Sequence, residues 1–306
     1  MATTTEPATW ATPRPLLPEL SLIAATIAYG STFKIVQDAL GRTTPIGFIL
    51  LRFSIGAIAL APFAIRNGWR RRDGTDGSVS DATPRDFVRA VVLFGVVAFG
   101  GYSLQNAGLE HTSTSNSAFI TGLFVVFTPL VETVARRRPP PANVIAAVAL
   151  AALGLFLLTG AKPTLGRGDA LTLACAACFG LWIYLGGQYA QRFDPITLTT
   201  LQMVVLAVLS VPFVLVDGIG HVDGGVLAAA AVTGVCCSAL AFSLQLWGQR
   251  YIEPSRASVI LLFEPVVAGI VGYFVGERLG IHGYIGAAVI LTGMVLAEWR
   301  SWAQRS

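Results

Sequence analysis

Charge is scarce in this chain. Only 12% of its 306 residues are Asp, Glu, Lys or Arg, about half the share of roughly 25% usual in soluble domains. A chain so poor in charge cannot coat a water-facing globule. Nucleophile and metal chemistry are thin too. Cys175-x-x-Cys178 lies in a run of Ala, Phe and Leu, and no second Cys or His pair completes a zinc site. Those two thiols and the vicinal Cys236 and Cys237 read as small packing residues, so no metal or cofactor is expected. His-Glu-x-x-His, Gly-x-Ser-x-Gly and paired apolar-span aspartates are missing, and His111, His221 and His282 fall in outer loops. A membrane-embedded enzyme, the rival class, thus lacks a reaction centre. Without a Walker loop, ATP is not the direct driver. Alternating strand patterns are also absent, which excludes a β-barrel. Nor is there a polar stretch long enough for a soluble receptor or scaffold domain.

What the chain has in excess is long apolar runs, with a mean hydropathy of +0.67. Crossing ~30 Å of hydrocarbon as a helix takes roughly 20 such residues. Ten candidate spans follow: 16–38, 45–66, 87–109, 113–135, 141–160, 169–191, 195–216, 226–250, 254–275 and 281–299. The predicted fold is an all-α membrane protein of ten transmembrane helices. Residues 1–15, with Pro13 and Pro15, read as a disordered tail without the layout of a signal peptide, and 300–306 as a second tail. The polar stretch 67–86 reads as a flexible loop.

Lys and Arg set the orientation. With the N-terminus inside, fifteen fall on the cytoplasmic side, among them Arg70, Arg71, Arg72, Arg136, Arg137 and Arg138. Four, Arg42, Lys162, Arg167 and Arg278, fall outside, and Lys34 and Arg52 lie within spans. This positive-inside bias puts both termini in the cytoplasm. It also accounts for the pI of about 9.0 without a nucleic-acid partner.

The chain repeats itself. At an offset of 150, Ala24, Gly30, Pro45, Leu51, Ala57, Pro62 and Phe63 meet Ala174, Gly180, Pro195, Leu201, Ala207, Pro212 and Phe213. At an offset of 140, Ser103-Leu104-Gln105 meets Ser243-Leu244-Gln245, and Gly108, Ser115 and Ile120 meet Gly248, Ser255 and Ile260. The halves are 16–160 and 169–299. Five spans is an odd number, so the second half enters from the opposite side. The halves are then inverted repeats, an architecture that holds substrate near the midplane between them.

These residues resemble the EamA branch of the drug/metabolite transporter superfamily. The resemblance rests on the five-plus-five repeat, on Tyr29-Gly30-Ser31-Thr32-Phe33 and on Leu51-Arg52-Phe53. Gln105 to Leu109, Ser115 to Leu123, Phe263-Glu264-Pro265 and Gly276-Glu277 add to it. It covers about residues 18–299. It implies a secondary exporter of small metabolites in a bacterial inner membrane, often of amino acids as in YddG-type exporters. Nucleobases, drugs and other metabolites are the alternative cargo.

Candidate site residues come from faces and from the repeat. Ser117, Thr121, Phe124, Thr128 and Glu132 share one face of the fourth span. That face either looks into a cavity or packs, with hydroxyls bonded back to their own helix. The matching face of the ninth span places Glu264 opposite Phe124, near the midplane. A carboxylate there costs roughly 2.5–3.5 kcal/mol on insertion scales and marks a functional candidate. Either it serves substrate or a coupling proton, or it caps carbonyls freed by Pro265. Tyr29, Phe33 and Trp182 surround the matched glycines Gly30 and Gly180 and offer an aromatic wall; packing or lipid contact is the bland alternative. Gln105 and Gln245, placed on opposite sides of the centre by inversion, are candidate outer and inner gates, or plain interhelical hydrogen bonds. Arg52, about seven residues into its span from outside, either snorkels outward or pairs with a carboxylate. Its counterpart is uncharged Gln202, so it reads as structural or gate-related rather than as a substrate ligand. Gly272-x-x-x-Gly276 reads as intramolecular packing, and the oligomeric state is open.

Overall fold

A computed structural model of the chain describes residues 16–72, 83–112, 117, 120–137, 140–159, 166–274 and 280–303. They are almost wholly helical; the one bridge between extended residues joins Thr43 to Gly220. In chain order the helices are α1 Leu17–Gly30, α2 Phe33–Leu40, α3 Pro45–Arg72, α4 Pro84–Leu109, α5 Phe124–Arg136, α6 Ala142–Thr159 and α7 Arg167–Ala190. There follow α8 Pro195–Asp217, α9 Gly224–Val232, a π-helical stretch Thr233–Leu240, α10 Ala241–Gln249, α11 Pro254–Leu261, α12 Glu264–Phe274 and α13 Ile281–Ala303. Residues 1–15, 73–82, 304–306 and Gly276-Glu277 lie outside the described residues; of the second expected tail, 300–303 continue α13 as helix.

Several helices begin where the sequence supplies a start. Pro45, Pro84, Pro195 and Pro254 stand in the first turn, where a missing N–H costs nothing. Thr83 and Asp86 form a capping box, and Asp194 and Asp223 accept from Thr197 N and Val226 N at 2.9 and 2.8 Å. The expected loop 67–86 is partly corrected: α3 continues as helix through Arg72. Helical hydrogen bonding needs no apolar side chains, and arginine is a good helix former, so the helix outlasts the apolar run.

Five stretches are long and apolar enough to cross a membrane: Pro45–Gly68, Pro84–Leu109, Arg167–Ala190, Pro195–Asp217 and Gly224–Gln249. These are the second, third, sixth, seventh and eighth expected spans. The fifth and tenth correspond to α6 and α13, which carry shorter apolar segments.

The other three spans are broken, which the hydropathy pattern had shown as continuous. The first breaks at Ser31-Thr32, where both hydroxyls bond back to Ala28 O. The fourth and ninth break at Leu123 and at Leu262-Phe263. In both, the turn tightens to a three-residue hydrogen bond: Leu123 N donates to Ile120 O and Phe263 N to Ile260 O, each at 3.1 Å. Those positions stand 140 residues apart. Pro265 adds to the second break by withholding the N–H that Leu261 would otherwise receive.

Contacts between the halves recur with the halves exchanged. The first span packs on the eighth and the sixth on the third. The second packs on the seventh, and the fifth on the tenth. Glycines carry the close approaches. A Cβ on Gly30 would lie 2.7 Å from Glu264 O and from Val267 Cβ. One on Gly180 would lie 2.6 Å from Phe127 Cβ and 3.0 Å from Thr128 N. A Cβ on Gly108 would meet Thr172 and Gly168, and one on Gly248 would meet Leu22 and Pro18. Val267 and Phe127 stand 140 residues apart, and Thr172 and Gly168 stand 150 from Leu22 and Pro18, the offsets read from the sequence.

The loops after α2 and α8 are pinned together. Thr44 N donates to Ile219 O at 3.2 Å, His221 N to Arg42 O at 3.0 Å, and Arg42 Nη1 meets Asp223 Oδ2 at 2.8 Å. The Val226 N–H and the Arg42 guanidinium hold the Asp223 carboxyl below the usual carboxylate range. Gly220, at φ +81°, makes the turn that lets its backbone touch Thr43.

Candidate functional site

Three broken spans and their neighbours leave a chamber between the helices. It encloses about 750 Å³ of non-atom space, counting the part that opens to solvent. The first span gives Tyr29, Thr32 and Val36 to its wall, and the second gives Arg52. The third gives Tyr102, Gln105, Asn106 and Leu109; the fourth gives Thr121 and Phe124. Phe179, Trp182 and Ile183 come from the sixth, Gln245 from the eighth, and Leu261 and Glu264 from the ninth. Thr121, Phe124, Leu261 and Glu264 flank the two matched breaks. A break can also free backbone groups toward the chamber, which an unbroken helix cannot do.

Of the residues singled out in the sequence, Tyr29, Thr121, Phe124, Trp182, Glu264, Gln105 and Gln245 all border this chamber. The side chain of Phe33 lies outside the described residues. Trp182 stacks on Phe94 with centroids 5.5 Å apart and planes 13° apart, and meets Phe242 edge-on at 5.1 Å. Its Nε1 donates to Gln202 Oε1 at 3.0 Å. The indole is thus locked, a rigid floor rather than a mobile flap.

The two glutamines differ in their partners. Gln245 Oε1 accepts from Tyr29 Oη at 2.7 Å, and its amide continues through Gln249 to the Ile183 carbonyl. That chain ties the first, eighth and sixth spans together. Among the described residues, Gln105 reaches only Thr121 Oγ1, at 3.4 Å, within its own half.

The fourth-span face divides by role. Ser117, Thr121, Phe124, Thr128 and Glu132 are all buried. Only Thr121 and Phe124 border the chamber; Thr128 bonds back to Phe124 O at 2.8 Å. Glu132 serves another purpose. Its carboxylate accepts from Ser255 N at 3.1 Å and from Ser255 Oγ, and pairs with Arg136 Nε at 3.1 Å. Ser255 opens α11, so a carboxylate satisfies an otherwise orphan N–H at a helix start. The clasp joins the fourth and ninth spans at the end remote from Leu109. We expect Glu132→Ala to lower the melting temperature in detergent, with a loss of about 1–3 kcal/mol from the stranded donors. Glu132→Gln, which still accepts, should lose less. Equal melting of Glu132→Ala and wild type would show that the clasp holds nothing.

Sequence reasoning missed Tyr102, Asn106 and Arg52 as wall residues. Tyr102, Gln105, Asn106 and Leu109 follow i, i+3, i+4, i+7 spacing, so a face reading of the third span would have found them. Arg52 does not snorkel outward: it is buried, with Nε donating to Ser238 Oγ at 2.8 Å. The cysteines are free thiols; Cys237 sits against Ala28 O and Thr32 Oγ1 at 3.2 and 3.3 Å. Among the described residues, no group of three His, Cys, Asp or Glu side chains could hold a metal.

Apolar spans around a polar and aromatic chamber, three of them broken at its walls, define a membrane transporter. The chain belongs to the EamA-like transporter family, which matches residues 16–160 and 166–299. It is 30% identical over 287 residues to an uncharacterized transporter of Archaeoglobus fulgidus, covering 93% of this chain and 87% of that one. It is 24% identical to the uncharacterized transporter YyaM of Bacillus subtilis, covering 91% and 92% of the two chains. Identity to the uncharacterized inner membrane transporter YicL of Salmonella typhimurium is 23%, covering 90% and 93%. One crystal structure superposes with a TM-score of 0.74 at 17% identity, over 94% of this chain and 99% of the other. That likeness speaks for the fold.

Proposed function

We propose that the protein exports amino acids or closely similar small metabolites across a bacterial-type inner membrane, with both termini in the cytoplasm. The halves 16–160 and 169–299 act as inverted repeats that rock about the chamber, so that it faces each side in turn. The observation that carries this reading is Glu264: a carboxyl at a helix break, in a chamber walled by Phe124, Phe179 and Trp182. A carboxyl beside aromatic rings suits an ammonium on an apolar body. Support for the rocking comes from interhelical contacts that recur with the halves exchanged. Support for the orientation comes from the Lys and Arg distribution. Gln245, bridging three spans, and Gln105 are the gate residues of this scheme.

The test is counterflow in liposomes holding the purified protein. Labelled amino acids should enter preloaded vesicles faster than protein-free ones, and a pH gradient should report any proton coupling. Counterflow of nucleobases or cationic drugs, with none of any amino acid, would replace the amino-acid reading by the alternative cargo.

A further inference from the structure

Two wall residues, Glu264 and Arg52, have ionisable side chains, and each replaces a non-ionisable residue of the other half. Glu264 stands where the first half has Phe124. Arg52 stands where the second half has Gln202, whose amide oxygen is taken up by Trp182 Nε1 at 3.0 Å. Arg52 is only 8% exposed, yet it lines the chamber. Its Cζ lies over the Phe53 and Tyr102 rings, 5.3 and 5.4 Å from their centroids. Its hydrogen bonding to the protein is one-sided: Nε donates to Ser238 Oγ at 2.8 Å.

Ser238 belongs to the π-helical stretch Thr233–Leu240, and the Arg52 carbonyl lies 2.6 Å from where a Gly234 Cβ would stand. The widened turn and the bare glycine bring that helix close enough to hold the guanidinium by one edge. Among the described residues neither terminal nitrogen has a protein acceptor, and no ion pair joins Arg52 to Glu264. A buried guanidinium fixed at Nε, with its terminal nitrogens unengaged, is a donor pair awaiting an acceptor.

We infer that Arg52 anchors the carboxylate of the substrate, and that with Glu264 it makes the chamber selective for zwitterions. This rests on the reading of the chamber as an amino-acid site. A planar guanidinium meets a carboxylate through two parallel bonds, which a lysine cannot reproduce. Glu264 takes the ammonium, and the side chain lies on the wall of Phe124, Phe179 and Trp182. An amine lacking the carboxylate leaves Arg52 buried and unpaired; an acid lacking the ammonium does the same to Glu264. Either loss is costly in a low-dielectric site.

The experiment is competition against counterflow of labelled phenylalanine, using phenylalanine, phenethylamine and 3-phenylpropionate on wild type, Arg52→Gln and Arg52→Lys. In wild type, phenylalanine should compete well and both truncated probes poorly. In Arg52→Gln, competition by phenylalanine should weaken roughly tenfold to a hundredfold, whereas phenethylamine should hold or improve. Arg52→Lys should recover part of the loss. Equal weakening of both probes, or phenethylamine matching phenylalanine in wild type, would overturn the anchor. If Arg52→Gln does not elute as a single species, Ser238→Ala loosens the same guanidinium and should show the same selective weakening in milder form.

If the wild type carries no amino acid, the amino-acid reading fails by itself. The anchor is then judged by binding of 3-phenylpropionate, followed through tryptophan fluorescence. Wild-type binding is expected to be weak, with Glu264 unpaired, and is read up to saturating probe. Weak binding lost in Arg52→Gln upholds the anchor; binding unchanged there, or none in wild type at any concentration, rejects it.

Discussion

Glu264→Gln is expected to abolish most transport while leaving the protein as stable as wild type or more so. The two readouts move in opposite directions because the carboxyl has two opposed effects. In hydrocarbon an acidic side chain costs roughly 2.5–3.5 kcal/mol on insertion scales, which the amide largely relieves. In the chamber it is the one acidic side chain among the wall residues, at the first turn of α12. Losing a charge-assisted bond to a substrate ammonium costs about 1.5–3 kcal/mol, or roughly tenfold to a hundredfold in affinity. A purely structural carboxyl, capping the break made by Pro265, would behave otherwise: its amide would melt earlier and transport at the wild-type rate. Initial counterflow rates across a pH series, with melting curves on the same preparations, separate the two. A wild-type rate and pH profile in Glu264→Gln would leave only the structural role.

The second large effect concerns the matched glycines. Gly30→Ala and Gly180→Ala should each destabilise the protein by about 1–3 kcal/mol, the usual penalty for overpacking, and valine should prevent folding at either site. What a new Cβ meets is backbone of another span, Glu264 O at 2.7 Å for Gly30 and Thr128 N at 3.0 Å for Gly180. Backbone cannot step aside as a side-chain tip can. Gly68, also helical, has nothing within 4 Å of its imagined Cβ, so Gly68→Ala should gain up to about 1 kcal/mol from helix propensity. Thermal melting of the three alanine variants in one detergent decides the matter. A Gly180→Ala protein that melts with Gly68→Ala would mean the crossing has slack.

Much of this was legible beforehand. A bilayer dictates length and hydropathy, so the spans stood out as apolar runs. Glu264 declared itself because an acid in such a run is costly and must have a use. Thr121 and Phe124 came from helical spacing, and Tyr29 and Trp182 from their place beside matched glycines. Arg52 shows where this kind of reading stops. Counted from the end of its span, it looked able to reach the surface. Its burial depends on Ser238, 186 residues away, and on a π-helical turn that no hydropathy pattern records. Glu132 looked like one more polar member of the cavity face; its partner is Ser255, 123 residues on.

The sequence alone determined that the chain is helical, that it crosses a membrane and that it repeats at two fixed offsets. Solvent imposes the first two on every residue independently, so they are written locally. The tertiary structure alone decided where the first, fourth and ninth spans break, and which side chains those breaks turn into one chamber. A break is a balance between a few helical hydrogen bonds and the packing of neighbours, and those neighbours come from the other half of the chain.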